Sequence, residues 1–212
     1  MLPRSTFKLS KGTRLRVVAL CFTIATVGSA SAQSWLDPSF GAGGLVDTAL
    51  SPFWDEAQCV LVQPDGMLVV AGRIDGVPAG FDVLVARFES GGNLDPNFGN
   101  GGFASLDVPG SARILDLAIQ PDGKLVMVGW VMDLPSLLMD KLVVRFNSDG
   151  TIDSFFGTDG VLILDDGSES DELDGVSIQS DGKIVVVGHG FDVDFGNNPT
   201  FFVGRLNPDG TF

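Results

Sequence analysis

The sequence predicts an all-β fold: an array of three repeated units, each of four short antiparallel strands, left open or incomplete at its ends. Three observations carry this expectation. The phrase "LDPSFGAGG" (Leu36 to Gly44) returns as "LDPNFGNGG" (Leu94 to Gly102) and as "IDSFFGTDG" (Ile152 to Gly160), at intervals of 58 residues. Asp-Gly pairs punctuate short apolar runs throughout. Those runs, such as "LVMV" and "IVVV", are too apolar to leave either face in water. A fixed period of this length marks a repeat architecture in which each unit buries its faces against its neighbours.

The first thirty-two residues stand apart from the repeats. Arg4, Lys8, Lys11, Arg14 and Arg16 form a basic start, "VVALCFTIATVG" (Val17 to Gly28) a short apolar stretch, and "ASA" (Ala30 to Ala32) a small-residue cleavage site. This is the layout of an export signal removed before folding, and its apolar stretch is far shorter than the roughly 20 residues that span a bilayer. The expected organisation is therefore a signal peptide over 1–32 and a repeat domain over 33–212, with units at about 36–93, 94–151 and 152–212 and a mature start at Gln33. The expected location is secreted, periplasmic or at the cell surface, and no transmembrane segment is expected in the mature chain.

Removing the leader takes five of the 13 Lys+Arg and none of the 27 acids, leaving a net charge of about −19. Such a surface repels phosphate backbones and anionic membranes, which excludes nucleic acid as a partner. Cations, cationic surfaces, proteins and neutral polysaccharides remain. Cys21 leaves with the leader, so Cys59 has no partner for an internal disulfide.

Within each unit the elements follow in order. In the middle copy "GFASLDV" ends at the Pro109-Gly110 turn, "RILDLAI" runs into "QPDG", "KLVMVGWV" follows, and "KLVVRF" ends before "NSDG". Asp65-Gly66, Asp122-Gly123 and Asp181-Gly182 read as hairpin turns, since both residue types tolerate the positive φ of a tight connection. The glycine-rich opening phrase carries the chain around a corner, with Phe40, Phe98 and Phe156 placed to plug the gap between units and Gly41, Gly99 and Gly157 at the bend. Arg87, Arg145 and Arg205 end doubly apolar strands, and a charge beside a core must be paired. The expected partners are Asp95 and Asp153, eight residues later, and Asp37 from a neighbouring unit.

Four-stranded antiparallel units stacked face to face are the solution found in a β-propeller. At a period near sixty, "LDxxFGxxG", "QPDGK(L/I)VVxG" and "ARFxxxGxLD" resemble the delta-60 repeat family, bacterial extracytoplasmic repeats whose likeness implies propeller blades and export. The resemblance covers Leu36 to Phe212, departs from the pattern at Ser180 and Leu206, and implies no reaction.

No residue set reads as catalytic and no cofactor is expected. His189 is the single histidine, with neither a second histidine nor a cysteine beside it in sequence to complete a triad or a zinc site. "FNSDGTIDSFFG" echoes a calcium loop, but its first ligand position falls on Arg145 and its twelfth on Phe156. Weak metal candidates are Asp165, Asp166, Glu169, Asp171, Asp192 and Asp194, which lie in loops that differ between copies. The same loops carry Trp130, Leu137, Leu138, Phe191 and Phe195, and loops on a rigid frame are where binding concentrates. The expected function is an interaction scaffold for a protein, a polysaccharide or further repeats of the same array. The alternative is a fragment of a propeller-fold hydrolase or lyase whose site lies in blades outside this chain. The outer faces of the first and last units are expected to be apolar and adhesive, because three units fall below the roughly four to eight of a closed propeller.

Overall fold

The structure is a computed structural model and describes residues 35–75, 80–165, 170–192 and 198–211. All regular structure in these residues is β. The strands are β1 (Asp55–Val62), β2 (Leu68–Asp75), β3 (Phe81–Phe88), β4 (Phe103–Leu106), β5 (Ser111–Ile119), β6 (Leu125–Met132), β7 (Met139–Phe146), β8 (Val161–Leu164), β9 (Ser170–Ile178), β10 (Ile184–Asp192) and β11 (Asn198–Leu206). They form three antiparallel blades, β1-β2-β3-β4, β5-β6-β7-β8 and β9-β10-β11. The second and third are joined by one parallel bridge between Met139 and Ser170.

The blades are out of phase with the sequence units. Each strand after a corner phrase was expected to open its own unit, yet β4 pairs with β3 and β8 with β7, so it closes the blade before it. The corner phrase causes this. It folds back on the end of the preceding strand through bridges from Phe88 to Leu94 and from Phe146 to Ile152, which leaves the next residues alongside that strand. In the first unit the corresponding residues 45–48 pair with no strand among the described residues and form only a bridge from Gly41 to Leu45.

Strands β1, β5 and β9 are the first of their blades, and each pairing with its neighbour carries a bulge, at Ala57/Cys59, Ile114/Asp116 and Val187/Gly188. The bulge explains the glycine that ends "VVAG", "VMVG" and "VVVG". A Cβ on Gly72, Gly129 or Gly188 would lie 1.9–2.0 Å from the carbonyl oxygen of Glu56, Arg113 or Glu172, so no other residue fits beneath the kinked strand.

Two cores lie between the blades. The first packs Val69, Ala71, Val83 and Val85 of blade one against Ile114, Leu125, Met127, Leu142 and Val144 of blade two. The second packs Val126, Val128 and Val143 of blade two against Leu173, Ile184, Val186 and Leu206 of blade three. Successive residues of one strand therefore serve opposite cores, as the two-residue period of a strand demands. Each blade has a front face toward the next blade and a back face toward the previous one.

Candidate functional site

The two ends of the blades differ in kind. One end holds the "PDG" turns and the corner phrases. There Asp65, Asp122 and Asp181 each accept a hydrogen bond through Oδ1 from the amide two residues on, and only Gly66, Gly123 and Gly182 take positive φ, so each turn is a five-residue loop rather than a two-residue one. Arg87 donates from Nε to Asp95 Oδ2 at 2.8 Å, reaches Ser148 O of the next blade from Nη1 at 2.7 Å, and lies over the Phe98 ring at 4.7 Å. Arg145 repeats this with Asp153 at 2.8 Å, Pro208 O of the third blade and the Phe156 ring at 4.3 Å, and it adds Gln120 Oε1 at 3.2 Å.

Each arginine is thus an inter-blade bracket, with Phe98 and Phe156 fully buried beneath it. Asp95 is held below the usual carboxylate range by the Asn97 amide and by Arg87. Burial pushes Asp153 upward, but the Phe155 amide, Arg145 and Lys124 outweigh it and leave this carboxyl lowered too. Gly99 donates to Asp149 O and Gly41 to Gly91 O, tying each corner to the turn of the blade that follows it, while Gly157 sits at φ +56 with no room for a Cβ beside Val161 O. The third copy differs. Arg205 is exposed and has no partner among the described residues, and the Asp37 carboxylate accepts from Ser39 N and Oγ and meets no arginine among them.

The other end holds the loops that vary between copies. Among the described residues the weak metal candidates form no group of three possible ligands. Asp165 is exposed, whereas Asp171 is buried against Lys141 Nζ at 2.5 Å. Asp166, Glu169, Asp194 and Phe195, and the side chain of Asp192, lie outside the described residues. A cluster that the sequence did not signal forms beside them. His189 Nδ1 lies 3.0 Å from Asp174 and its Nε2 3.5 Å from Glu172, with one ligand atom from each residue within 4.8 Å of the others.

Register and bulge build this cluster. His189 is opposite Glu172, and Asp174 is the extra residue that the bulge re-aims toward the ring. Two carboxylates and an imidazole are chemically able to hold a divalent cation, yet the same pair of positions in blade one carries the Glu56–Arg73 ion pair at 2.6 Å. In blade two the same position sets Arg113 opposite Trp130, so of these two only blade one carries an ion pair there. Arg73 lowers the Glu56 carboxyl, and Arg113 reaches Gln58 across the blade boundary at 3.0 Å.

Apolar side chains crowd this variable end. Phe53 and Trp54 precede β1, and Leu134, Leu137 and Leu138 lie between β6 and β7, all exposed. Trp130 is half-buried, and Phe191 is half-buried with its ring edge-on to His189 at 5.8 Å. Among the described residues no helix is long and apolar enough to cross a membrane.

Comparison with known proteins gives a fold without an activity. No curated protein matches the chain. The model of a family described as a domain of unknown function (DUF5122) beta-propeller matches three times, over residues 63–98, 120–156 and 179–212, together half of the chain. The first two matches run from the glutamine of the "QPDG" turn to Phe98 or Phe156, the plug beneath the bracketing arginine. The repeat it recognises is the bracketed unit seen here, and the chain belongs to the DUF5122 beta-propeller family.

Proposed function

We propose that this chain is an exported binding scaffold, that its repeats are of the delta-60 kind, and that its ligand, a protein or a neutral polysaccharide, is held at the variable end. One observation carries the reading: at the bracket end Arg87, Arg145, Phe98 and Phe156 are committed to joining blades, although Phe155 is exposed there, whereas Phe53, Trp54, Leu134, Leu137 and Leu138 stand together in water at the other end. Exposed apolar groups rimmed by polar side chains mark interaction sites, and Glu56, Arg73, Glu172 and His189 supply hydrogen-bonding groups at the same end. The acidic surface favours neutral or cationic ligands.

The test is a binding survey with neutral polysaccharides and cationic proteins, run on the natural chain and on a Leu137→Asp/Leu138→Asp variant. Equal melting temperatures with loss of the bound ligand support the reading. Unchanged binding by the variant, or no binding in either class, refutes it. Export is tested by mass spectrometry of the protein recovered outside the cytoplasm, which should begin at Gln33.

A further inference from the structure

We propose that Glu172, Asp174 and His189, at the variable end of blade three, form a site for one first-row divalent ion of the zinc class, bound between His189 Nε2 and Glu172 with Asp174 orienting the imidazole. The site is additional to the exposed apolar groups of that end and does not rest on what they bind.

Repeat equivalence shows what sets these residues apart. Glu172 stands where Glu56 stands in blade one, Asp174 where Gln58 does, and His189 where Arg73 does. In blade one the three satisfy each other. Arg73 donates from Nε and Nη2 to Glu56 Oε2 at 2.9 and 2.6 Å, and Gln58 Nε2 donates to Glu56 Oε1. Its charges cancel. In blade three the permanent cation is replaced by an imidazole and the amide by a second carboxylate, so the set carries −2 with a neutral ring and −1 with a protonated one. Among the described residues no lysine or arginine pairs with Glu172 or Asp174. The set is therefore short of positive charge in either state of the ring, and a bound cation supplies it.

The contacts of the ring say where the ion goes. Nδ1 lies 3.0 Å from Asp174 Oδ2, within hydrogen-bonding reach, whereas Nε2 lies 3.5 Å from Glu172 Oε1. The shorter contact holds the proton of the neutral ring on Nδ1, which leaves the Nε2 lone pair facing a carboxylate oxygen with no hydrogen between them. Two acceptors that face each other call for a cation. In a tetrahedral site with metal–donor distances of about 2.0–2.1 Å the donors stand about 3.3 Å apart, close to the gap between Nε2 and Glu172. A carboxylate on the other ring nitrogen is the common companion of a metal-bound histidine, because it fixes the tautomer and raises the basicity of the nitrogen that binds. The bulge that brings Asp174 to the ring and the edge-on Phe191 at 5.8 Å hold the imidazole in place.

The donor set selects the ion. An imidazole nitrogen with a carboxylate oxygen suits zinc, nickel or copper(II), whereas calcium and magnesium take oxygen donors alone. The side chains of His189, Glu172 and Asp174 are 34 %, 26 % and 50 % exposed, so water reaches the ion and fills its remaining positions. Such an ion sits on a fold that stands without it.

Calorimetric titration of zinc chloride into the whole mature chain tests the proposal, and 15N NMR of the imidazole reads the geometry, since His189 is the single histidine of the sequence. One zinc per chain is expected, calcium chloride at the same concentration should give no binding heat, and zinc should shift Nε2 while Nδ1 keeps its proton. His189→Arg copies the Glu56–Arg73 pair of blade one, so it should fold and lose the site. His189→Gln, which removes the ring without adding charge, should lose it too. Asp174→Asn should bind zinc roughly 10–100-fold more weakly, still through Nε2. No saturable zinc binding, full affinity in either His189 variant, unchanged affinity in Asp174→Asn, or zinc on Nδ1 overturns the proposal.

Discussion

The Lys141–Asp171 pair joins blades two and three, and the molecule contains its own apolar control. At the same repeat positions the junction of blades one and two carries Val83 and Ala112, both in the first core. Breaking a buried ion pair by removing one partner costs about 3–5 kcal/mol, because the surviving charge is stranded, while replacing both partners with well-packed apolar residues is often neutral or stabilising. Lys141 and Asp171 are both almost wholly buried, so that range applies without a discount for solvent. Lys141→Val alone should therefore lose about 3–5 kcal/mol, which at about 2–4 °C per kcal/mol for a domain of this size lowers the melting temperature by about 6–20 °C. Lys141→Val/Asp171→Ala copies the first junction and should recover most of that loss. Differential scanning calorimetry at pH 7 on the four members of the cycle reads the result. If the single variant melts within about 2 °C of the natural protein, or the double variant melts as low as the single, the pair does not join the blades in the way described.

Four further outcomes follow from the same geometry. Arg145→Met should cost about 3–5 kcal/mol by stranding Asp153, and in a cycle with Asp153→Asn the losses should fall well short of additive; additive losses would show that the bracket is not a unit. Asp95 and Asp153 are lowered in the folded state, so their contribution is present above the unfolded aspartate value near 3.9 and disappears as pH falls through the lowered values, and a stability profile flat from pH 5 down to pH 2 would contradict it. The Cys59 thiol is pushed up to about 12 by burial and by Asp116, so it should resist alkylation at pH 8 until the protein is unfolded. Chelator should leave the unfolding midpoint nearly unchanged, because the arginine at the first position of the calcium-loop echo is committed to Asp153; a fall of ten degrees or more with EDTA would show a structural ion.

The strand content, the turn residues and the Arg87–Asp95 and Arg145–Asp153 pairs were legible in the sequence, because each follows from local chemistry written more than once. What the sequence hid depends on which strand lies beside which. Phe103 to Leu106 reads as the start of a unit until the corner phrase is seen to fold back on Phe88. Lys141 stands before an apolar run and reads as a solvated strand end, since its partner Asp171 comes from another blade. Counting outward from the "QSDG" turn puts His189 opposite Leu173; it meets Glu172, with Asp174 beside them, only because a bulge adds one residue, and no residue in β9 announces that bulge. Its signal is Gly188, across the strand, which repeats as Gly72 and Gly129.

Repeat equivalence is the central claim: what one blade does at a position, every blade does once its neighbour is present. Hydrogen exchange on β11 tests it most directly. The Arg145 and Arg87 amides donate to Gly160 O and Gly102 O, the residues just before the fourth strands, and by strand alternation the amides of Phe201, Val203 and Arg205 point to the corresponding edge of blade three. Among the described residues only β10 pairs with β11, so in residues 33–212 alone these three amides should exchange rapidly while those of Lys141, Val143 and Arg145 are protected. Protection of Phe201, Val203 and Arg205 equal to that of Lys141, Val143 and Arg145 would contradict it.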